Sequence, residues 1–98
     1  MGLSVVLKGT LWTLKRTRKG LGKTKEHKGG LWGYSWADPK EIRIRPSSDF
    51  PSVEKEADIV LHECLHSLFP DMDEQAVAEG ATELAKVLRQ CDLLKPEP

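Results

Sequence analysis

The chain contains few cysteines and no long apolar run, and each of these absences excludes a class of protein. Its only two cysteines, Cys64 and Cys91, are not spaced as C-x-x-C, which excludes a thioredoxin-like redox motif and a zinc ribbon. Both fall on apolar faces of predicted helices, so we interpret them as small core residues, with a disulfide as the weaker alternative. Residues 1–7 are too short for a signal peptide, and no stretch could span a membrane. A reducing, cytoplasmic location is the expectation.

The chain also lacks net charge, but its charges are divided unevenly. Residues 1–50 hold 11 Lys and Arg against 4 Asp and Glu, whereas residues 51–98 hold 4 against 11. Three tryptophans lie in the basic half, and basic residues interleaved with aromatic ones can follow a nucleic-acid backbone and stack on bases. We therefore predict weak nucleic-acid binding through residues 8–28. The alternative is a solvated surface whose tryptophans complete a small core.

The most informative stretch that is present covers residues 61–66, which read H-E-x-x-H from His62 to His66. Apolar residues from Val53 to Leu68 recur at helical spacing, and the two histidines lie away from that apolar face. Histidines four residues apart stand one helical turn above each other, so both can bind one Zn²⁺. Glu63 between them is then placed as a general base for a water molecule. Two structural histidines are the alternative, but they leave Glu63 unexplained.

A catalytic zinc site needs a third protein ligand, and because no third histidine follows the motif, we expect a carboxylate, of which the following helix offers several. That helix is predicted for residues 73–91, with a buried stripe formed by Val77, Ala81, Leu84, Leu88 and Cys91. Glu74 lies in its first turn, one short loop after His66, and is our predicted third ligand. Glu79 and Glu83 lie on the opposite side of the stripe and are the reserves. Glu74 has a competing interpretation as a capping acid beside an N-cap at Asp73 or Asp71.

The remaining pattern predicts one α+β domain over residues 1–98, a small antiparallel sheet packed on two helices. Strands are predicted at residues 5–7, 10–17, 31–36 and 41–45, and a glycine-rich loop at 19–30. In the last strand Ile42 and Ile44 should face the core. The metal-bearing helix is expected at residues 52–68, with Ser52 as its N-cap. A chain of this length has a modest core, so bound metal would contribute to its folding.

Residues 62–77 and 81–88, together with 33–38 and 40–44, resemble the short, phage-type SprT-like metallopeptidases. The resemblance covers about residues 31–90 and implies a minimal zincin of the gluzincin kind. It implies that His62 and His66 are zinc ligands, that Glu63 is the catalytic base, and that Glu74 holds the family's acidic position before the second helix. Larger SprT-like enzymes place a third histidine after H-E-x-x-H, which this chain does not have. Their ligand set therefore does not transfer.

These observations predict a zinc-dependent peptidase with Glu63 as the general base, acting on a peptide or protein substrate. Tyr34 or His27 could supply a donor for the developing oxyanion, although a structural or surface role is the favoured alternative for each. The strand at residues 41–45 is the expected edge for a bound peptide. The alternative function is a zinc-stabilised regulatory domain, or a nucleic-acid-associated domain, without catalysis. An intact Glu63 favours catalysis, because a structural zinc site needs no base.

Overall fold

A computed structural model describes residues 2–22 and 31–94, which form a four-stranded sheet and two helices. The strands are β1 (Gly2–Leu7), β2 (Thr10–Arg16), β3 (Gly33–Trp36) and β4 (Glu41–Ile44); the helices are α1 (Val53–Leu68) and α2 (Glu74–Gln90), with a short 3-10 helix at Ser47–Asp49. The α+β class predicted from the sequence is confirmed. Within the described ranges, neither helix has the length and apolar composition needed to cross a bilayer.

The sheet is mixed, and the prediction of a purely antiparallel sheet is wrong. Its strand order is β1-β2-β4-β3, with β2 and β4 parallel and the other two pairs antiparallel. The reason is that β4 carries the two most deeply buried side chains of the sheet, Ile42 and Ile44. An interior position surrounds both side chains with neighbours, so β4 lies beside β2 and its hairpin partner β3 is left at the edge.

The core lies between the sheet and α1. Trp12 and Leu14 of β2 and the two isoleucines of β4 form its buried centre, and Ile59, Val60 and Cys64 of α1 pack against it. Gly33 lets the edge strand approach α1 closely, because a Cβ atom there would lie 2.9 Å from Ile44 Cδ1 and 3.1 Å from Ile59 Cγ2. This close approach sets β3 directly beside the helix that carries the histidines.

Both helices begin where their capping residues predict. The Ser52 side chain accepts a hydrogen bond from the Lys55 backbone N–H, and the Asp73 side chain accepts one from Ala76. Residues 69–73 connect the helices, and this short turn lays α2 back along α1. The first residue of α2, Glu74, therefore lies near the C-terminal half of α1.

The predicted buried stripe of α2 is partly wrong. Val77 and Ala81 are buried as expected, but the third buried residue is Ala85, whereas Leu84 and Cys91 are exposed. The spacing of four residues between small side chains lets α2 pack closely on α1 and turns the larger Leu84 to the flank. Cys91 is the C-cap of α2 and not a core residue; Cys64 is half-buried, and both are free thiols.

Candidate metal centre

The two motif histidines stand one turn apart on α1 and converge at their ring tips. Their Nε2 atoms are 3.1 Å apart, and the ring centroids are separated by 4.7 Å. Both side chains are half-buried, at the flank of α1 and away from the face that packs on β2 and β4. The 3.6-residue period produces this arrangement, since residues four apart share a face of the helix.

Glu74 is brought to the histidines by the return of the chain into α2. Its Oε1 lies 3.1 Å from His62 Nε2 and its Oε2 lies 2.8 Å from His66 Nε2. The N-cap of α2 is Asp73, so the carboxylate of Glu74 is available to the histidines instead of the helix terminus. The three side chains offer ligand atoms that all lie within 4.8 Å of one another. The structure thus places the two histidines next to Glu74, the third ligand predicted from the sequence.

The donor set suits zinc in both chemistry and spacing. Two imidazole nitrogens and a carboxylate oxygen are common ligands of catalytic zinc, and three protein ligands leave a position open. Tetrahedral ligands about 2.0–2.1 Å from an ion lie ~3.3 Å from one another. The contact between the two Nε2 atoms, and the contact of each Nε2 atom with its own Glu74 oxygen, lie at 2.8–3.1 Å, close to that value. A small outward movement of the side chains would admit the ion.

The reserve ligands lie elsewhere on α2. Glu79 accepts a hydrogen bond from the Gln75 side chain at 3.0 Å, and Glu83 pairs with Lys86 at 2.8 Å. Both belong to the solvent-exposed face of the helix. Among the described residues, the group that could hold a metal consists of His62, His66 and Glu74.

Glu63 is the one charged side chain in the described residues that is buried, with 8% of its surface exposed. Burial raises the pKa of this carboxyl from 4.5 to about 7, and the negative charge of Glu74 adds to the shift. Once this carboxyl ionises, its burial lowers the free energy of unfolding, because the charge is removed from water. A raised pKa beside a potential metal centre is a frequent property of catalytic acids and bases.

Glu63 and the three potential ligands line one side of a cleft of about 730 Å³. β3 lines the cleft through Gly33 and Ser35, and Trp12, Trp32 and Ile59 of α1 give it an apolar wall. Trp32 also stacks on Phe50 with ring centroids 5.1 Å apart, and this contact favours one position of the tryptophan ring. The cleft therefore joins a polar, acid-bearing side to an apolar surface large enough to receive a side chain.

Three side-chain hydrogen bonds that the sequence pattern does not reveal support the elements that carry the site. The Ser35 and Ser67 hydroxyl oxygens are 2.7 Å apart, and the Ser67 hydroxyl donates to the Glu63 carbonyl at 2.9 Å. The first of these bonds ties β3 to α1 next to His66, and the second lies within α1. The Thr82 hydroxyl donates to Asp58 at 2.9 Å and ties α2 to α1. Isolated serines and threonines have no periodic signal, so only their three-dimensional pairing reveals them.

The structure shows where one expected oxyanion donor and the expected peptide edge lie. Tyr34 belongs to β3 and is among the residues that line the cleft, but its ring packs on Trp36 with centroids 4.8 Å apart. Because Ser35 points to α1 and side chains alternate along a strand, these two rings lie on the other face of the sheet. His27 lies outside the described residues. The prediction that the strand at residues 41–45 is the edge is wrong, because β4 is interior and β3 is the edge beside the site.

The basic residues of the first half are partly engaged with acidic residues elsewhere in the fold. Lys15 pairs with Glu41 at 3.1 Å, Arg16 with Glu56 at 2.7 Å, and Arg18 with Asp49 at 2.6 Å. Lys23, Lys25 and Lys28 lie outside the described residues. Binding of nucleic acid through residues 8–28 remains a prediction, and these ion pairs reduce the positive charge that is available to it.

The geometry of these side chains and the H-E-x-x-H motif that positions them define the site. No protein-family model, curated protein or solved structure matches the chain.

Proposed function

We propose that the chain is a zinc-dependent peptidase whose metal is held by His62, His66 and Glu74. The convergence of three suitable ligand atoms next to a buried Glu63 is the observation that supports this function most strongly. When bound, zinc would supply Lewis acidity toward a carbonyl oxygen and lower the pKa of a water molecule. The resemblance of the motif region to SprT-like metallopeptidases is in keeping with this chemistry.

Glu63 is the general base in this proposal. Its carboxylate takes a proton from the attacking water and passes it to the nitrogen of the departing amine. In the metal-free chain burial is the main cause that raises the pKa of this carboxyl to about 7, in the range where general acids and bases exchange protons near neutral pH. The half-buried setting of the two histidines limits the water that would otherwise weaken electrostatic interactions at the reacting bond.

The same buried acid favours catalysis over a purely structural zinc site. A regulatory domain would need the three ligands but would gain nothing from an ionisable group with most of its surface removed from water. Removal of that group would stabilise such a domain. Retention of Glu63 against this destabilising effect is explained by a chemical role.

The substrate in this proposal is an extended peptide that lies along β3. An edge strand offers unpaired backbone N–H and C=O groups, and an added strand uses them for main-chain hydrogen bonds. β3 also lines the cleft beside the histidines, so a peptide paired with it passes close to Glu63. The apolar wall of Trp12, Trp32 and Ile59 then provides a place for one large apolar side chain of the peptide.

The test compares Glu63→Gln with the wild-type chain and with Glu79→Gln, a matched change on the exposed face of α2. Zinc-loaded proteins are incubated with an unfolded protein substrate and with a peptide library, and products are identified by mass spectrometry. We expect Glu63→Gln to retain its metal and fold but lose cleavage, because an amide cannot take the proton from water. Glu79→Gln should cleave like the wild type. Cleavage that persists in rigorously purified Glu63→Gln protein would contradict the mechanism.

A further inference from the structure

The strand β1 lies at the edge of the sheet opposite the cleft. It pairs with β2 on one side, and in the part of the chain that the structure describes no strand pairs with its other side. β1 has six residues, two more than β3 at the other edge. Unpaired backbone groups along an edge strand form a template for another chain.

Edge strands of monomeric proteins usually carry charged residues, prolines or bulges that prevent such pairing. None of these occurs in β1, whose sequence is Gly-Leu-Ser-Val-Val-Leu and whose register with β2 is unbroken. Leu3 and Val6 are 61% and 64% exposed, one on each face of the sheet. The absence of charge means that two copies of this strand can approach each other without repulsion.

The hairpin between β1 and β2 determines which backbone groups of β1 face outward. Its two turn residues, Lys8 and Gly9, both have positive φ, 51° and 75°, as in a type I′ turn. In such a hairpin the two residues that flank the turn form a pair joined by backbone hydrogen bonds. Hydrogen-bonded and non-hydrogen-bonded pairs then alternate along the two strands. Leu3, Val5 and Leu7 therefore direct their backbone groups to β2. Ser4 and Val6 direct theirs outward.

We propose that β1 pairs antiparallel with β1 of a second copy, with Val5 opposite Val5, so that two sheets join into one. In this register Ser4 lies opposite Val6 of the other copy, and the outward backbone groups of both residues bond with each other. Leu3 lies opposite Leu7, so apolar side chains meet apolar side chains on the face that carries α1. The strand is thus complementary to itself in hydrogen bonding, in side-chain character and in charge.

The resulting dimer would also shelter apolar surface and leave the cleft open. Leu3 is on the helix-bearing face of the sheet, since it pairs with the buried Leu14 of β2. A second copy joined at β1 covers this side chain from the edge. The cleft lies at β3, the opposite edge of the sheet, and stays accessible in both copies.

Sedimentation equilibrium and site-directed crosslinking test the pairing on the full chain. We expect a concentration-dependent dimer that Ser4→Pro weakens by about tenfold or more, because proline removes an outward N–H from each copy. Ser4→Ala, which keeps that N–H, should dimerise like the wild type. Circular dichroism and melting temperature establish whether Ser4→Pro remains folded; proline is tolerated on an edge strand where its nitrogen faces outward.

Crosslinking tests the register and does not depend on the proline variant. Opposed non-bonded residues of an antiparallel pair have Cα atoms about 4.5 Å apart, within the range of a disulfide. In a Cys91→Ser background, Val5→Cys should form a covalent dimer on mild oxidation, whereas Ser4→Cys and the background alone should not. A chain that stays monomeric at every concentration tested would overturn the proposal. A dimer that is lost in Leu84→Gln on α2 but kept in Ser4→Pro would overturn it as well. So would preferential crosslinking of Ser4→Cys.

Discussion

Replacement of Glu63 by glutamine should change how the stability of the metal-free protein depends on pH. Burial and the neighbouring Glu74 raise the pKa of Glu63 from 4.5 to about 7 in the folded chain. Between these two values the folded state binds more protons than the unfolded state. The free energy of unfolding therefore falls as pH rises through this window and levels off above pH 7. Glutamine has no proton to lose, so the variant should lack this component.

The size of the effect follows from the size of the shift. One pKa unit corresponds to ~1.4 kcal/mol, so a rise from 4.5 to about 7 amounts to roughly 3 kcal/mol when fully developed. Between pH 5 and pH 8 the free energy of unfolding of the wild type should therefore fall by about 2.5 kcal/mol more than that of Glu63→Gln. A small domain has a total stability of only about 5–15 kcal/mol, so the difference is a large and measurable fraction.

The assay is urea unfolding, followed by tryptophan fluorescence, at several pH values with a chelator present. The chelator matters because a bound cation would change the charge next to Glu63. Glu79→Gln serves as the control, since this residue is exposed and its replacement should leave the wild-type pH profile unchanged. Parallel pH profiles for the wild type and Glu63→Gln would refute the reasoning, because they would show that the acid ionises as readily in the folded chain as in the unfolded one.

Three further predictions follow from the site and its surroundings. Glu74→Gln should weaken zinc affinity, measured by competition with a chelating dye, by more than the roughly 10–100-fold typical of losing a hydrogen-bond partner of a ligand; equal or larger losses for Glu79→Gln or Glu83→Gln would contradict the ligand assignment. Ser52→Ala should lower the free energy of unfolding by ~1 kcal/mol through loss of the α1 cap, whereas Ser48→Ala in the preceding 3-10 helix should change it much less. Labelled single- and double-stranded DNA should bind weakly at low salt and dissociate as salt rises; no binding at concentrations on the order of tens of micromolar would remove this prediction.

The helices and the potential ligands could be predicted because their signals are local. The spacing of four residues fixes His62 and His66 on one face, and the caps Ser52 and Asp73 mark where each helix begins. Glu74 follows from the short connection, which leaves the first turn of α2 little freedom to lie anywhere else. These inferences need only the geometry of one helix and one turn.

The sheet order could not be predicted for a physical reason. The alternation that sends Ile42 and Ile44 to the core is the same whether β4 is interior or at the edge, so the pattern does not reveal its neighbours. The stripe of α2 was misplaced because leucines dominate an apolar pattern, whereas close helix packing selects small residues such as Ala81 and Ala85. The Ser35–Ser67 pair depends on this same tertiary packing.

The packing of α2 has a consequence for how the site can be tuned. This helix rests mainly on α1, through the small side chains Val77, Ala81 and Ala85, and it carries Glu74 at its first turn. Replacement of Ala85 by a larger residue, at a position far along α2 from the cleft, would change the tilt of this helix. Glu74 at the other end of α2 would then move relative to the histidines. In the proposed metal site, affinity is thereby coupled to residues that never touch the metal or the substrate. Substitutions at the interface between α1 and α2 would therefore adjust the affinity of the proposed site while every cleft residue stays the same.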